Sequence, residues 1–334
     1  MKAIRVAEYG DLNSLSYDEV PIPELQENEV LIDIEIAGVN FIDIYMRNGL
    51  YANSQTYAQS LPMTLGMEGA GVIKALGKGV RNLNLGDRVA YCTELGSYAE
   101  CAKVAAWKII PVPEDIPLDI ATALMLQGST AHYLSHSLFP IGPRHRCLIH
   151  AASGGVGQLL VQLAKARGAK VFALVGSQEK ADLAKVNGAD YTILYKKENF
   201  AELVLELTKG EGVHVVYDSI GKMTIADSLR ATKKRGTCVN YGAASGPVEA
   251  ISPLALAEAG SVFFTRPHLA DYISTREERL MRSSDLFEFY RKGKLRVNID
   301  RILPLIKTTE AHQIMEAGET KGKLLLKNRQ ASSA

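Results

Sequence analysis

Ala151-Ala152-Ser153-Gly154-Gly155-Val156-Gly157 is the stretch that decides the fold of this chain. The apolar run Cys147-Leu148-Ile149-His150 precedes it, and the apolar-periodic run Leu159-Leu160-Val161-Gln162-Leu163-Ala164 follows it. This order predicts a strand, a tight glycine turn and a helix. Such a turn lets backbone N–H groups approach a pyrophosphate at a helix N-terminus, where the helix dipole favours negative charge. Because Ala152 replaces the first glycine of the usual G-x-G-x-x-G pattern, we expect φ at Ala152 to stay negative.

The bulk composition limits the class of protein. The chain has 334 residues, which is enough for two domains, and a net charge of +1. That charge provides no field to steer nucleic acid or an anionic membrane surface. The four cysteines are scattered without a C-x-x-C pair, which suits a reducing cytosol and offers no zinc-ribbon spacing. We therefore expect a cytoplasmic protein with a small-molecule substrate and without a nucleic-acid partner.

We expect neither a signal peptide nor a membrane span. Residues Met1-Lys2-Ala3-Ile4-Arg5-Val6 are typical of a strand rather than of a signal sequence. The apolar runs all fall short of membrane-spanning length. The short tail Gln330-Ala331-Ser332-Ser333-Ala334 is the one low-complexity segment that the sequence contains.

The pattern of apolar runs changes along the chain. The first third is all-β, with short strands predicted at 29–36, 70–76, 88–91 and 97–102. The middle third alternates strands (171–175, 191–194, 213–217, 236–241) with helices (179–186, 200–208) at βαβ spacing. The last part contains a strand at 261–265, a long amphipathic helix at 275–292 and a helix at 309–317. This order predicts a cofactor domain inserted into a β-rich domain, with the pocket in the cleft between them.

Motifs over nearly the whole length resemble zinc-independent quinone oxidoreductases of the medium-chain dehydrogenase/reductase superfamily. Besides the turn, the motifs are 37–43 (AGVNFID), 66–71 (GMEGAG), 86–89 (GDRV), 216–221 (VYDSIG) and 265–267 (TRP). The resemblance implies an α/β fold in which a Rossmann doubly wound parallel sheet is inserted into a GroES-like catalytic domain. Its implied boundaries are 1–122 for the first catalytic part, 123–262 for the NADPH-binding domain and 263–334 for the return to the catalytic domain.

The resemblance also indicates that zinc is absent. Zinc alcohol dehydrogenases of this superfamily place a cysteine ligand where this chain has Asn40, and a histidine ligand where it has Met67 beside Glu68. Catalytic zinc needs three protein ligands, and an amide and a thioether replace thiolate and imidazole poorly. We therefore expect no metal ligand in this chain. Glu68 is expected to be structural, bonded to backbone or to Arg266.

The end of the second strand of the βαβ unit predicts NADPH rather than NADH. NAD-binding proteins usually end this strand with an acid, whereas Val175 is followed here by Gly176 and Ser177. Ser177 can donate to a 2′-phosphate, and Lys180 can pair with it. Tyr195 resembles the tyrosine that closes this phosphate site in the family. Glu179 would weaken the preference if it faced the site.

The remaining cofactor contacts are implied by the resemblance alone. Asn40 and Tyr45 would line the nicotinamide end. Thr130 would lie beside the diphosphate and the nicotinamide ribose. Phe264, Thr265 and Arg266 would approach the nicotinamide. The full implied set, besides Gly176, Ser177, Lys180 and Tyr195, is Asn40, Tyr45, Thr130, Ala152, Gly154, Gly155, Val156, Gly157, Ser219, Gly221, Tyr241, Gly242, Phe264, Thr265 and Arg266.

The candidate catalytic residues are Asn40, Tyr45, Arg47 and Tyr51. The two tyrosines suit a flat quinone ring and its oxygen, and Arg47 could stabilise a developing oxyanion. Asp43 is expected to orient other groups rather than to act as a base. The seven histidines show no ligand spacing, and we interpret them as structural.

These features predict NADPH-dependent reduction of quinones by hydride transfer, with the protein positioning the rings and excluding water. An NADPH-dependent alkenal or enone double-bond reductase on the same fold stays open, because fold alone does not separate the two activities. A nucleotide-binding redox sensor or RNA-binding protein with little turnover is the alternative from another class. We expect a homodimer, because the apolar strand at 261–265 would form an exposed sheet edge.

Overall fold

The computed structural model describes residues 1–328, so the low-complexity tail at 330–334 and the end of the predicted third segment lie outside the described residues. The strands are β1 (Lys2–Val6), β2 (Leu15–Glu19), β3 (Glu29–Val39), β4 (Met63–Thr64), β5 (Glu68–Leu76), β6 (Arg88–Cys92), β7 (Cys101–Ala105), β8 (Ile110–Pro111), β9 (Arg146–Ile149), β10 (Lys170–Val175), β11 (Tyr191–Leu194), β12 (Val213–Asp218), β13 (Thr232–Asn240), β14 (Phe263–Thr265), β15 (Ile299–Pro304) and β16 (Lys323–Lys327).

The α-helices are α1 (Phe41–Arg47), α2 (Leu118–Ala123), α3 (Ser129–Tyr133), α4 (Gly155–Ala166), α5 (Gln178–Val186), α6 (Phe200–Leu207), α7 (Ile225–Ala231), α8 (Pro253–Glu258), α9 (Leu269–Tyr272), α10 (Arg276–Arg291) and α11 (Thr308–Glu316). Two π-helical turns, Leu124–Gly128 and Leu134–Leu138, follow α2 and α3. None of the helices within residues 1–328 combines the length and the hydropathy that a membrane span requires.

One unit of the chain is built on a six-stranded parallel sheet in the order β11-β10-β9-β12-β13-β14. Numbered within the unit, this order is 3-2-1-4-5-6, which is the doubly wound order of dinucleotide-binding folds. Its strands read as continuous apolar runs because helices cover both faces of such sheets. Leu148, Phe172, Val216 and Cys238 are fully or almost fully buried in its core. The predicted doubly wound fold is confirmed.

The other unit contains two β-sheets. A three-stranded sheet has the order β2-β1-β4, and a larger sheet has the order β15-β16-β3-β5-β6-β8, with β7 paired to β3. The long strand β3 is the centre of this unit, because it pairs antiparallel with β5, β7 and β16. The strand predicted at 97–102 is displaced to β7, because the N–H groups of Ser97 and Tyr98 bond instead to the carbonyls of Gly66 and Leu65.

The unit with the parallel sheet comprises Thr130–Tyr272 and Phe289–Arg296, and the β-rich unit comprises Met1–Ser129, Ile273–Glu288 and, within the described residues, 297–328. These divisions fall after 129 and 272, whereas the sequence analysis places them after 122 and 262. The difference at the second division has a direct cause. Strand β14 hydrogen-bonds along β13 in the parallel sheet, so residues 263–272 continue that unit instead of returning to the β-rich one.

Candidate functional site

The predicted strand, turn and helix appear as β9, residues 150–154 and α4. Gly154 caps α4 in an extended conformation, and its N–H donates to the carbonyl of Ala151 at 2.8 Å. The left-handed conformation in the turn falls on Ala151, with φ 46°, and not on Ala152. Ala152 is fully buried, and its N–H donates to the carbonyl of Leu174 at 3.2 Å. An alanine therefore fits at 152 because the unusual backbone angle is carried one residue earlier.

Gly157 is required by the close approach of the turn to the first turn of α4. A methyl group at this position would overlap the carbonyl oxygen of Ala151 and would lie 2.7 Å from Cα of Ala152. Gly155 and Val156, with Gly154, form the helix N-terminus, where backbone N–H groups have no intrahelical partner. The geometry therefore provides the cradle that a pyrophosphate needs.

The end of β10 provides a second polar group. Ser177 caps α5, and its Oγ accepts a hydrogen bond from the N–H of Lys180 at 3.4 Å. The exposed ring of Tyr195 lies against Gly176, where an added Cβ would stand 3.3 Å from the tyrosine hydroxyl. The structure therefore brings Gly176, Ser177, Lys180 and Tyr195 together. A hydroxyl that accepts at a helix cap can still donate its own proton to an anion.

The carboxyl end of β12 is organised by Asp218. Its carboxylate accepts hydrogen bonds from the N–H groups of Ile220 and Gly221 and from the hydroxyls of Thr224 and Ser228, at 2.7 to 2.9 Å. His150 Nδ1 lies 3.6 Å from Asp218 Oδ1. Burial is the larger influence on this histidine and lowers its pKa, although Asp218 acts in the opposite direction.

Ser219 follows this carboxylate, and its Oγ is buried without a hydrogen-bond partner among residues 1–328. Gly221 has φ 89°, and a methyl group on Gly242 would lie 2.5 Å from the carbonyl oxygen of Ser219. These two glycines therefore serve the packing of the loops after β12 and β13. An unpartnered buried hydroxyl at the carboxyl end of a parallel sheet fits a ligand group, because buried polar groups are normally satisfied.

The other implied cofactor residues are placed as follows. Tyr241 directly follows β13, and its N–H donates to the carbonyl of Asp218 at 2.8 Å. Phe264 packs against the core of the parallel sheet. Thr265 ends β14, and Arg266 Nη1 donates to the carbonyl of Pro267 at 2.9 Å. Thr130 is buried in α3.

In the β-rich unit, Asn40 lies in a buried polar cluster at the start of α1. Its Oδ1 accepts hydrogen bonds from Lys323 Nζ at 2.9 Å and Gln127 Nε2 at 3.0 Å. Its Nδ2 donates to Glu68 Oε2 at 2.9 Å and to the carbonyl of Gly38 at 3.3 Å. All four hydrogen-bonding positions of the amide are thus occupied. The described hydrogen bonds of the Asn40 side chain all belong to this cluster, and its contact with substrate or cofactor stays a prediction.

Glu68 is the acidic centre of the same cluster. Its Oε2 forms a short ion pair with Lys323, and both side chains are fully buried. Its Oε1 accepts from the N–H of Leu126 at 2.5 Å, within the π-helical turn. A methyl group on Gly38 would overlap the Glu68 carboxylate and would lie 2.8 Å from Lys323 Nζ. The expected structural role and backbone bond of Glu68 are observed, but its cationic partner is Lys323 rather than Arg266.

Arg47, predicted to stabilise an oxyanion, lies in a second buried network. Its guanidinium pairs with Glu316 Oε1 at 2.5 Å and contacts His312 Nδ1 at 3.2 Å, and its Nε donates to the carbonyl of Gly10 at 3.3 Å. Burial, and to a lesser extent Arg47, lowers the pKa of His312 to about 3. The described contacts of Arg47 thus join α1 to α11, and its catalytic role stays a prediction.

Asp43 orients backbone groups, as predicted. It accepts hydrogen bonds from the N–H of Asn40 at 2.8 Å, the N–H of Met67 at 3.0 Å and the hydroxyl of Tyr98 at 3.0 Å. Burial raises its pKa to about 7, against the opposing effect of these hydrogen bonds. Because Tyr98 also lies 3.5 Å from His312 Nε2, Asp43 and Arg47 belong to one continuous buried network.

Tyr45 and Tyr51 are brought together. Their ring centroids are 5.7 Å apart with an edge-to-face geometry, and the Phe41 ring centroid lies 6.0 Å from that of Tyr45. Tyr57, which the sequence analysis did not select, lies 5.1 Å from Tyr51. Lys323 and Gln127 were also missed, because they approach Asn40 from sequence separations of 283 and 87 residues.

Two family profiles match the chain. The alcohol dehydrogenase GroES-like domain matches residues 26–114, and the zinc-binding dehydrogenase family matches residues 155–283. A quinone oxidoreductase of Pseudomonas aeruginosa is 40% identical over 97% of this chain and 99% of its own length. A 2-haloacrylate reductase of Burkholderia sp. is 38% identical over 95% of this chain and 96% of its own length.

A solved structure of Escherichia coli quinone oxidoreductase complexed with NADPH superposes with a TM-score of 0.94. It is 37% identical and covers 98% of this chain and all of its own. The similarity extends over both units and agrees with the motifs, the strand order and the glycine turn. The chain belongs to the quinone oxidoreductase family of the medium-chain dehydrogenase/reductase superfamily.

Proposed function

We propose that this protein reduces quinones by hydride transfer from NADPH. The observation that carries the proposal is the turn around Gly157, a cradle that a side chain would fill, followed by a helix N-terminus. The unpartnered Ser219 hydroxyl and the cap at Ser177 fit the rest of a dinucleotide. The similarity to an NADPH-complexed quinone oxidoreductase supports the same cofactor and the same class of acceptor.

The bound nicotinamide would supply the hydride, and the quinone would take up one proton from solvent to give the hydroquinone. Backbone N–H groups of the turn and of α4 would hold the pyrophosphate, and Ser177, Lys180 and Tyr195 would hold the 2′-phosphate. We further propose that Tyr45 and Tyr51 line the acceptor site, because their rings contact each other and suit a planar conjugated ring. Asn40, Glu68 and Lys323 would fix the backbone beside them.

The cofactor preference can be tested at Lys180. Loss of one charge-assisted contact should weaken NADPH binding about tenfold to a hundredfold and leave NADH binding nearly unchanged. Lys185→Ala, at the other end of α5, is the matched control. Equilibrium titration of both cofactors onto Lys180→Ala decides the matter, and equal weakening of NADPH and NADH would contradict the assignment.

We also propose that the reaction does not use zinc. Asn40 and Met67 stand at the positions where the resemblance places zinc ligands, and the Asn40 amide and Glu68 bind the Lys323 ammonium. The cluster thus already contains an internal cation. Treatment with a strong chelator should leave quinone turnover unchanged, whereas activity that is lost on chelation and restored by zinc would overturn this proposal.

A second activity is favoured by one specific observation. The 38% identical relative from Burkholderia is a 2-haloacrylate reductase, which supports a conjugated double bond as an alternative acceptor. Turnover with NADPH on 1,4-benzoquinone and on a series of 2-alkenals separates the two proposals. We expect the quinone to have the higher kcat/KM, and faster reduction of the alkenals would favour the double-bond reductase.

We propose in addition a cytoplasmic homodimer. The four cysteines are buried free thiols, which fits a reducing compartment. Strand β14 is an edge of the parallel sheet, and its Phe263 is 67% exposed. Pairing of this edge with a second copy would remove an aggregation hazard. Light scattering at micromolar concentration should give the dimer mass, and a monomer mass would refute the dimer.

A further inference from the structure

Helix α1 and the segment between it and β4 together contain a run of aromatic rings in contact with one another. Tyr51 lies between Tyr45 and Tyr57, with centroid distances of 5.7 Å and 5.1 Å. The first contact is edge-to-face, and the second is tilted by 36°. The three tyrosines are spaced six residues apart, so the segment turns back on itself to bring them together.

The three rings differ in exposure. Tyr45 and Tyr57 are each 7% exposed, whereas Tyr51 between them is only half-buried. Of these three tyrosines, Tyr51 is therefore the most exposed, and its ring lies between two buried ones. A ring that is held before a ligand arrives avoids the entropy cost of being immobilised on binding.

The position of Tyr57 is itself fixed by local hydrogen bonds. Its N–H donates to Ser54 Oγ at 3.1 Å, and the N–H of Ala58 donates to the carbonyl of Ser54 at 3.1 Å. The next turn is tied to the rest of the unit, because the hydroxyl of Tyr9 donates to the carbonyl of Gln59 at 3.3 Å. Tyr57 is thus held by its backbone and presents its ring to Tyr51.

We propose that Tyr57 is a positioning residue that fixes Tyr51 as a stacking face, so that the acceptor site selects planar ring quinones over open-chain conjugated carbonyls. This inference rests on the proposed function and names the acceptor class within it. Aromatic rings stack on one another through their faces, and an open-chain alkenal presents little face to gain from such a contact. The selectivity should therefore appear in acceptor binding rather than in the chemical step.

The test compares Tyr57→Leu with Tyr57→Phe. The leucine variant removes the ring, and the phenylalanine variant keeps the ring and removes only the hydroxyl. Tyr17→Leu, at a tyrosine of β2 that is 41% exposed, is the matched control. The measurements are kcat and KM for 1,4-naphthoquinone and for 2-hexenal, NADPH affinity, and equilibrium dialysis of 1,4-naphthoquinone.

For Tyr57→Leu we expect KM and the dialysis Kd for 1,4-naphthoquinone to rise about threefold to tenfold, the range of an aromatic pair. Its kcat, its KM for 2-hexenal and its NADPH affinity should stay at the values of the parent protein, and Tyr57→Phe should behave like the parent throughout. Equal effects on both acceptors, no effect on either, or a phenylalanine variant as impaired as the leucine variant would overturn the inference.

The same experiment distinguishes failure of this inference from failure of the proposed function. If the parent protein reduces 1,4-naphthoquinone and Tyr57→Leu is unchanged, only the role of Tyr57 is wrong. If the parent protein neither reduces nor binds the quinone, the proposed function is wrong and the inference falls with it. A Tyr57→Leu protein that does not fold leaves Tyr57→Phe against the parent, and impaired quinone binding in that variant overturns the inference.

Discussion

The polar site of one unit is formed by backbone groups, whereas the polar site of the other unit is formed by side chains. In the parallel-sheet unit, the turn at 151–157 is made of backbone, and its key position is Gly157, where any side chain would collide with Ala151. In the β-rich unit, the cluster around Asn40 is made of side chains, with Glu68 and Lys323 fully buried as an ion pair. The turn requires that Gly157 has no side chain, and the cluster requires that the Glu68 carboxylate is paired with the Lys323 ammonium.

This difference determines how each site can fail. Adding a methyl group to the backbone site forces the turn to shift, which changes its shape and therefore its ligand affinity, and such overpacking also costs about 1–3 kcal/mol of stability. Removing one charge from the side-chain site leaves the partner buried and unpaired, which is costly to the fold itself. Substitutions at the turn should therefore lower ligand affinity as well as stability, whereas substitutions in the cluster should mainly lower stability.

The largest effect is expected for Lys323→Met. This change leaves the Glu68 carboxylate buried without its cation and should lower the free energy of unfolding by about 3–5 kcal/mol. Urea denaturation measures the loss, and Lys103→Met is the matched control. Lys103 forms a partly exposed pair with Glu29 at 3.6 Å, which should be worth no more than about 1 kcal/mol.

The double variant Glu68→Gln/Lys323→Met sharpens this result. Removal of both charges should cost less than Lys323→Met alone, because the unpaired carboxylate has then been removed as well. A cost equal to the sum of two independent losses would show that the ion pair does not couple the two residues, and would contradict the charge balance described above.

The next effect concerns pH and the buried histidine of the β-rich unit. The pKa of His312 is lowered to about 3, so the stability that this neutral histidine provides is complete above its ordinary value of 6.5 and is lost as the pH falls. Between about pH 7.5 and pH 5 this loss should reach about 2 kcal/mol, because only the unfolded state takes up the proton. Urea denaturation of the parent and of His312→Asn at both pH values isolates the contribution.

Asp43, in the same network, should contribute a pH dependence of stability opposite in sign to that of His312. Its pKa is raised to about 7, so its contribution to stability is complete below the ordinary aspartate value and is lost as the pH rises towards 7. The pH slope of Asp43→Asn should therefore differ from the parent in the direction opposite to that of His312→Asn. Slopes that shift in the same direction would refute the assigned protonation states.

The smallest of these effects is expected in the backbone site. Gly157→Ala should weaken NADPH binding about tenfold, or about 1.4 kcal/mol, because the turn must open to admit the methyl group. Gly142→Ala is the matched control, since a methyl group there meets nothing closer than His145 Nδ1 at 3.9 Å. Fluorescence titration of NADPH measures both variants, and unchanged affinity in Gly157→Ala would remove the turn from the cofactor site.

The same contrast explains what the sequence could predict. Elements with a clear local pattern were predicted in both units. Strand 191–194 of the parallel sheet was predicted with its observed bounds, and the helix predicted at 275–292, most of which lies in the β-rich unit, is observed as Arg276–Arg291. The glycine turn was found in the same way, because its residues are adjacent in sequence. The predicted position of strand β7 was wrong because the backbone N–H groups of residues before it bond to the carbonyls of Leu65 and Gly66. These residues are distant in sequence, so a local pattern does not predict the bonds.

The side-chain cluster could be predicted only in part. Asn40 and Glu68 were selected because they replace or adjoin ligand positions, but Lys323 reaches Glu68 across 255 residues. Arg47 was assigned to catalysis because a guanidinium can stabilise a developing oxyanion, whereas its observed partners His312 and Glu316 lie 265 and 269 residues away. Helical spacing indicates which residues share a face, but not which distant element covers that face.

The most direct test of the account is a single turnover of chelator-treated protein, mixed under anaerobic conditions with 1,4-naphthoquinone and NADPH carrying deuterium at the transferred C4 position. Metal-free hydride transfer predicts one hydroquinone formed per NADPH consumed, with a primary isotope effect on the rate. A protein that forms no hydroquinone until zinc is added, or that consumes NADPH without a matching yield of hydroquinone, would contradict metal-free hydride transfer.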